Sequence, residues 1–302
     1  MSLDADHIVD RRRLKRALTF WRLFAVLALI SAVLAGIGRM DGLVAEDHVA
    51  RLSVEGIIFN DLARNEALVE VSENDRAKAL IVFVDSPGGT VVGGEALYFS
   101  LREVAEKKPV VAVMGGTATS AAYMLALGAD YIVARMSSIT GSIGVLMQTA
   151  DITGLLDKLG VKPETVKSSP LKAQPNPLEP FSEEAREATR EIVLDLYNVF
   201  VDMVTERRNL DREKVVKLAD GRIFTGRQAL ENGLVDALGG EERAREWLSE
   251  AHKIADTLPL KDVEIKRKDQ DWFERIQGAF GKTLLYERLK LDGLVSLWHP
   301  GL

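Results

Sequence analysis

The sequence predicts an α/β domain built on a parallel or mixed sheet and preceded by one N-terminal membrane-spanning helix. Three observations carry that reading. Short runs that are apolar at every position, Ala79–Val84 (ALIVFV) and Val110–Met114 (VVAVM), alternate with helical stretches, as strands covered on both faces should. Each of these two runs ends in glycines, at 88–89 and at 115–116. In such sheets ligands sit at the carboxyl ends of the strands, so the two breaks can face one site. Finally, Leu23–Gly38 carries no charge and follows a basic cluster of Arg11, Arg12, Arg13, Lys15, Arg16 and Arg22.

The amino terminus is different in kind from the rest. Sixteen uncharged residues are fewer than the roughly 20 a bilayer needs. Thr19, Phe20 and Trp21 extend the span, with Trp21 at the interface and Arg22 snorkelling to the headgroups. Asp41, Glu46 and Asp47 lie beyond it, so the positive-inside rule keeps residues 1–18 in the cytoplasm and sends the chain after about residue 40 across the membrane. A cleaved secretory signal is the competing reading, with Val33 and Ala35 as a small-residue cleavage site; the uncleaved anchor at 19–38 is preferred.

After the anchor, residues 48–58 read as a strand bent at Gly56, and Leu62–Val71 as a helix. The strand at 79–84 is expected to end at Asp85-Ser86-Pro87-Gly88-Gly89, and Gly94–Glu106 to be helical. The strand at Pro109–Met114, a glycine turn, Ser120 and a short helix from Tyr123 follow. Tyr131–Ala134 is another strand, Ser137–Leu146 a small-residue segment and Asp151–Leu159 a helix. Five prolines between 162 and 181 exclude a long regular element there. Ser182 caps a long helix with Glu183 and Glu184 in its first turn, and Ile192, Leu196, Val199, Phe200 and Met203 form its core or subunit-interface stripe. Asp211–Leu218 reads as a helix, and Asp220–Gly239 as a turn, short helix and short strand. Residues 251–302 are expected to be a mostly helical extension, with a second stripe at Trp272, Phe273, Ile276, Phe280, Leu284 and Leu285.

Composition narrows the chemistry. A net charge of −6 over 302 residues, with no long basic stretch beyond the amino terminus, argues against a nucleic-acid partner. The chain has no cysteine, which excludes a thiol nucleophile, a cysteine-ligated metal and any disulfide. No residue pattern calls for a metal or cofactor. Ser120 is flanked by Gly115, Gly116, Ala118, Ala121 and Ala122, a bare setting between a strand and a helix that suits either a nucleophile or a tight packing turn. A serine nucleophile needs a base, and His7, His48, His252 and His299 all lie in peripheral segments. A lysine can serve if it is kept neutral. Lowering its pKa from about 10.4 to roughly 7–8 costs about 3–5 kcal/mol of desolvation. Lys172, within SSPLKA at 168–173, suits that role, with Lys162 and Lys167 as nearby alternatives.

Five stretches in order make the sequence recognisable: DSPGG at 85–89, GGTATSAAYMLALGAD at 115–130, TGSIGV at 140–145, KSSPLKA at 167–173 and DGRIFTGRQALENGLVDALG at 220–239. Across about 49–249 the chain resembles the signal peptide peptidase A family (protease IV type), serine–lysine peptidases with a fold related to the Clp protease subunit and the crotonases. The resemblance implies a Clp protease/crotonase-like mixed sheet with flanking helices, and a peptidase domain at 46–250. It implies Ser120 as nucleophile and Lys172 as general base. It also implies an oxyanion hole from the N–H groups of Gly89 and Ser120, and a substrate backbone held at Gly88 and Gly89. Two departures are visible: Thr90, where the family often has Gly or Ser, and Ala173, where it often has Asp. One copy of each motif matches the family's short, single-domain form. That form implies a ring-like homo-oligomer, an octamer, whose sites combine serine and lysine from adjacent subunits. Its substrates would be remnant signal peptides or other exported, unfolded polypeptides, cut on the extracytoplasmic (periplasmic) side of a bacterial-type inner membrane. The rivals are a crotonase-like acyl-CoA enzyme, a ring without activity, and another membrane-tethered serine–lysine peptidase of the same superfamily.

Overall fold

The computed structural model describes residues 18–30, 46–267 and 295–297. Residues 18–30 form helix α1, with every residue exposed. Among the described residues no helix is long and apolar enough to cross a membrane; residues 31–38 of the expected anchor lie outside them. Residues 1–46 form one compact unit and residues 47–302 another.

The second unit is a mixed sheet that is mostly parallel. Strands β1 (His48–Ile58), β2 (Ala77–Thr90) and β3 (Val110–Thr119) lie at its centre, β1 and β3 flanking β2 in parallel. Strand β8 (Leu260–Asp262) adds in parallel to the free side of β1. The far side of β3 is shared, its first half pairing with β4 (Tyr131–Ala134) and its last three residues with β5 (Ile139–Gly141). Strand β7 (Ala237–Leu238) continues in parallel from β4, and β6 (Ile223–Thr225) runs antiparallel to β5.

Alternation along β2 explains why its first half is apolar throughout. Leu80, Val82 and Val84 belong to one core and Ala79 and Ile81 to the other. The larger core lies under α2 (Leu62–Glu73), α3 (Val91–Ala105), α4 (Ala121–Ala126) and the carboxyl half of α6 (Glu183–Arg208). The smaller is closed by α9 (Glu241–His252), whose Trp247 stacks on Tyr131 at 4.8 Å. On α3, Leu97, Leu101 and Val104 are buried at helical spacing, each contributing about 1.5–3 kcal/mol of transfer free energy. Helix α6 divides its apolar stripe: Phe200 and Met203 are buried, whereas Ile192 and Val199 are exposed. Ser182 caps it as expected, its hydroxyl accepting from the Ala185 N–H at 3.2 Å.

Three expectations change. Strand β2 does not stop at Asp85 but runs through Pro87 and both glycines to Thr90. The register shifts against β1 between Glu55 and Ile57 and against β3 between Val84 and Ser86, and these irregularities accommodate a proline and two glycines inside a strand. Likewise β3 continues through Gly115 and Gly116 up to Ser120, so no separate turn precedes the serine. The described part of the C-terminal extension, 251–267, holds the last two residues of α9 and strand β8 and is not mostly helical, while the stripe from Trp272 to Leu285 lies outside the described residues. The helices α5 (Thr153–Leu159), α7 (Arg212–Leu218) and α8 (Gly226–Asn232) lie close to their expected places.

The end of α6 is fastened by one nearly buried ion pair. The Arg208 guanidinium binds both carboxylate oxygens of Asp236, at 2.6 and 3.0 Å, and its Nε donates to the Gly233 carbonyl. Asp236 also accepts from the Ile132 N–H, so the pair joins α6, β4 and the segment before β7. Removing one partner leaves the other charge in a poorly solvated place. Arg208→Met is therefore expected to cost about 2–4 kcal/mol of unfolding free energy. Urea denaturation followed by circular dichroism checks it, and a loss below about 1 kcal/mol would contradict the assignment.

Candidate active site

Ser120 stands where β3 gives way to α4, and its backbone is the most unusual feature of the region. It has φ 60° and ψ −124°, a conformation that costs a non-glycine residue about 1–3 kcal/mol. Serine nucleophiles on sharp strand-to-helix turns are held in this kind of strained geometry. The surroundings impose it. The Ser120 N–H donates to the Gly141 carbonyl of β5 at 2.8 Å, and the Ser120 carbonyl accepts from Met124 N–H at 2.9 Å. Ala118, Ala121 and Ala122 are fully buried around it, and Ser120 itself is 1% exposed.

The second glycine-rich stretch lies alongside. Ser86 on β2 pairs in register with Ala118 on β3, two residues before Ser120. Beyond that point β3 turns into α4, and β2 goes on without it through Gly88, Gly89 and Thr90, still paired with β1 as far as Gly89. A Cβ added to Gly89 would lie 2.0 Å from the Ile58 carbonyl oxygen, so only glycine fits against β1 there. Gly88 has φ 112°, again outside the range side-chain-bearing residues favour. Thr90, the departure noted in the sequence, caps α3 by accepting from the Gly93 N–H at 3.0 Å. Asp85 accepts from the Thr117 N–H at 2.9 Å, and Thr119 Oγ1 donates to the Pro87 carbonyl at 3.0 Å. These cross-links were not legible in the sequence, because they join residues some thirty positions apart whose register depends on the bulges.

Strand β9 (Val295–Leu297) marks what this edge can hold. It pairs antiparallel with β2 at Gly88–Thr90. Since β1 occupies one side of β2 as far as Gly89, β9 takes the side that β3 has just vacated, next to Ser120. The backbone at Gly88–Thr90 thus pairs with an extended segment at the end of β2 whose Ser86 lies opposite Ala118, two residues before Ser120. Addition of a strand to an open sheet edge is a general mode of peptide recognition.

The other predicted site residues are placed less uniformly. The Ser120 N–H, expected to face a developing oxyanion, donates instead to Gly141 in this structure. Lys172 is exposed, in a short turn whose backbone closes from Lys172 N–H to the Ser169 carbonyl at 3.1 Å. The burial expected for a neutral lysine is not supplied by its own chain: no residue from 144 to 184 is buried. Leu155, Leu159, Val166 and Leu171 in this arm are exposed hydrophobics. Of the alternatives, Lys167 forms an ion pair with Glu179, and Lys162 is exposed. Among the described residues no group of three or more His, Asp and Glu side chains is placed to hold a metal ion. A cleft of about 150 Å³ lined in part by His48, Glu70, Asn74 and Lys266 lies at the amino ends of β1 and β2, the opposite end of the sheet from Ser120.

Comparison with known proteins bears on the family of the chain. Residues 102–255 match the model of Peptidase family S49, and residues 50–153 that of Clp protease. Two relatives carry the name "Putative protease". One, from Synechocystis sp., is 42% identical over 201 residues, which cover 66% of this chain and 72% of that one. The other, from Methanocaldococcus jannaschii, is 38% identical over 243 residues, covering 76% and 75%. The chloroplastic serine protease SPPA of Arabidopsis thaliana is 34% identical over 235 residues, 76% of this chain but only 34% of that longer one. The S49 match spans Ser120, Lys172 and strands β3 to β7, and the Clp match spans most of β1 with β2 to β5. This protein is a serine peptidase, a hydrolase of peptide bonds, and it belongs to peptidase family S49.

Proposed function

We propose that this peptidase is anchored by residues 19–38 in a bacterial-type inner membrane. There it cleaves remnant signal peptides or other exported, unfolded polypeptides on the extracytoplasmic side. Ser120 is the nucleophile and Lys172 the general base. The observation that carries the reading is the junction of Ser120 with a strand end that pairs with an extended segment. A strained serine at the end of β3 lies beside Gly88–Thr90, which already pairs with an extended segment.

The chemistry follows in order. A substrate peptide adds to the edge at Gly88 and Gly89 by main-chain hydrogen bonds, which bind backbone without demanding a particular side chain. The neutral Lys172 amine takes the proton of the Ser120 hydroxyl as its Oγ attacks the scissile carbonyl. The oxyanion forms against the Gly89 N–H, and the Ser120 N–H joins it where its bond to Gly141 is released. Lys172 then gives the proton to the departing amine, and water hydrolyses the acyl-serine by the same route reversed.

A shared site accounts for the exposed lysine. The arm at 144–184 has no buried residue and presents several large apolar side chains, as does the amino half of α6. A neighbouring copy packed on this surface would remove Lys172 from water, and burial is what a lysine base requires. The assembly in this reading is a homo-oligomeric ring, an octamer, in which the lysine arm of one chain reaches the serine of the next.

Ser120→Ala and Lys172→Ala should each lower hydrolysis of an unfolded peptide by about 10³-fold or more while leaving the oligomer intact. Peptidase assays paired with size-exclusion chromatography check this, and substantial activity in either variant would remove that residue from the dyad. Mixing the two inactive variants after dissociation and reassembly should restore part of the activity. No recovery in confirmed mixed oligomers would place both residues of each site in one chain.

A further inference from the structure

The Gly89 N–H can stabilise an oxyanion only if its direction is fixed before the reaction. Gly89 cannot fix it alone, and Gly88, at φ 112°, has no side chain to stiffen the turn. What the structure supplies is a clamp one peptide unit upstream. Pro87 C=O and Gly88 N–H belong to a single planar unit. At one end, the Gly88 N–H donates to Ser86 Oγ at 3.1 Å, and the Ser86 hydroxyl donates in turn to the Gly56 carbonyl of β1 at 2.5 Å. At the other end, the Pro87 carbonyl accepts from Thr119 Oγ1 at 3.0 Å. Both poles of the unit are thus tied to neighbouring strands by hydroxyls of fully buried residues.

Thr119 is the residue immediately before Ser120. Other buried hydroxyls also fasten β3: Ser138 donates to the Gly115 carbonyl and Thr140 to that of Ala118. Those two tie β3 to the elements that follow it. Thr119 differs because its bond crosses to the glycine turn, so it links the strand carrying the nucleophile to the peptide unit that orients the oxyanion donor.

We infer that Thr119 is a positioning residue for hydrolysis: its hydroxyl, paired with Pro87, holds the Pro87–Gly88 peptide so that the Gly89 N–H meets the oxyanion formed at Ser120. The inference rests on the proposed roles of Ser120 and Gly89. A contact of this kind acts on the transition state more than on substrate binding, since the charge it helps to meet develops only in the transition state.

The test uses the full chain in detergent with a fluorogenic peptide and a peptidyl boronate that forms a tetrahedral, anionic serine adduct. Thr119→Val keeps the shape and removes the hydroxyl; Thr119→Ser keeps the hydroxyl. T119V is expected to lower kcat by about 10–100-fold with KM changed less than about threefold, and to weaken the boronate by a similar factor. T119S should stay within about threefold of the parent. If T119V does not fold, Thr119→Ala carries the same expectations. The inference is overturned if the hydroxyl-free variant keeps kcat within threefold, if the loss lies in KM alone, or if T119S falls as far. Ser120→Ala separates the two levels: an inactive S120A with a fully active T119V sinks the positioning role only, whereas an active S120A sinks the reading of the site and the inference with it.

Discussion

The structure around the candidate site depends on holding one residue in a conformation it would not choose. Ser120 sits at φ 60° and ψ −124°, and such a backbone survives only where its neighbours leave no alternative. Three constraints act together. Strand β5 presents the Gly141 carbonyl to the Ser120 N–H, pinning the residue from one side. Helix α4 starts at once and is buried along its whole length, so it cannot rotate to relieve the strain. Tyr123 then anchors α4 through its hydroxyl, which donates to the Leu234 carbonyl at 2.8 Å with the ring wholly buried. Burial pushes that phenol's pKa well above its ordinary value, so it stays a neutral donor at any physiological pH.

The same arrangement explains the density of small residues. Gly94 on α3 faces Ala121 so closely that a Cβ would come within 3.0 Å of the alanine methyl. Gly115 lies equally close to Asp85 and Phe83. Elements that approach this tightly fix each other's positions to a fraction of an ångström, the tolerance on which reacting groups depend. Bareness around Ser120 therefore reflects tight packing, and under the proposed role of Ser120 it serves the chemistry as well.

The lysine arm follows the opposite logic. Where the serine is embedded, residues 144–184 carry no buried side chain, although leucines and valines recur along them. Arg207 and Arg208 secure the end of α6 to the main body by bonds to the Leu127, Ala129 and Gly233 carbonyls, while the other half of that helix exposes Ile192 and Leu194. One chain thus contains a tightly packed serine and an exposed arm that carries apolar side chains. An assembly that covers the arm would satisfy both its hydrophobic surface and the requirement that a lysine base be neutral.

Much of this was legible in the residues. The run ALIVFV states that β2 is covered on both faces, because a strand with a wet face would alternate. Ser182 with two glutamates after it states where α6 begins, because capping is local chemistry. The five motifs in order point to the family, which the match to peptidase family S49 bears out. The sequence could not reveal that β2 and β3 pass straight through their glycines, because Gly and Pro are read as breaks until paired neighbours take up the irregular register. Nor could it show β8 and β9 joining the sheet, since three-residue strands have no periodicity to detect. The clamp from Thr119 to Pro87 belongs to the same class. By itself the sequence determined which side chains exist and how each segment is locally biased. The tertiary structure decided which backbone groups meet across the sheet, because hydrogen bonds between distant strands depend on register, a property no single segment possesses.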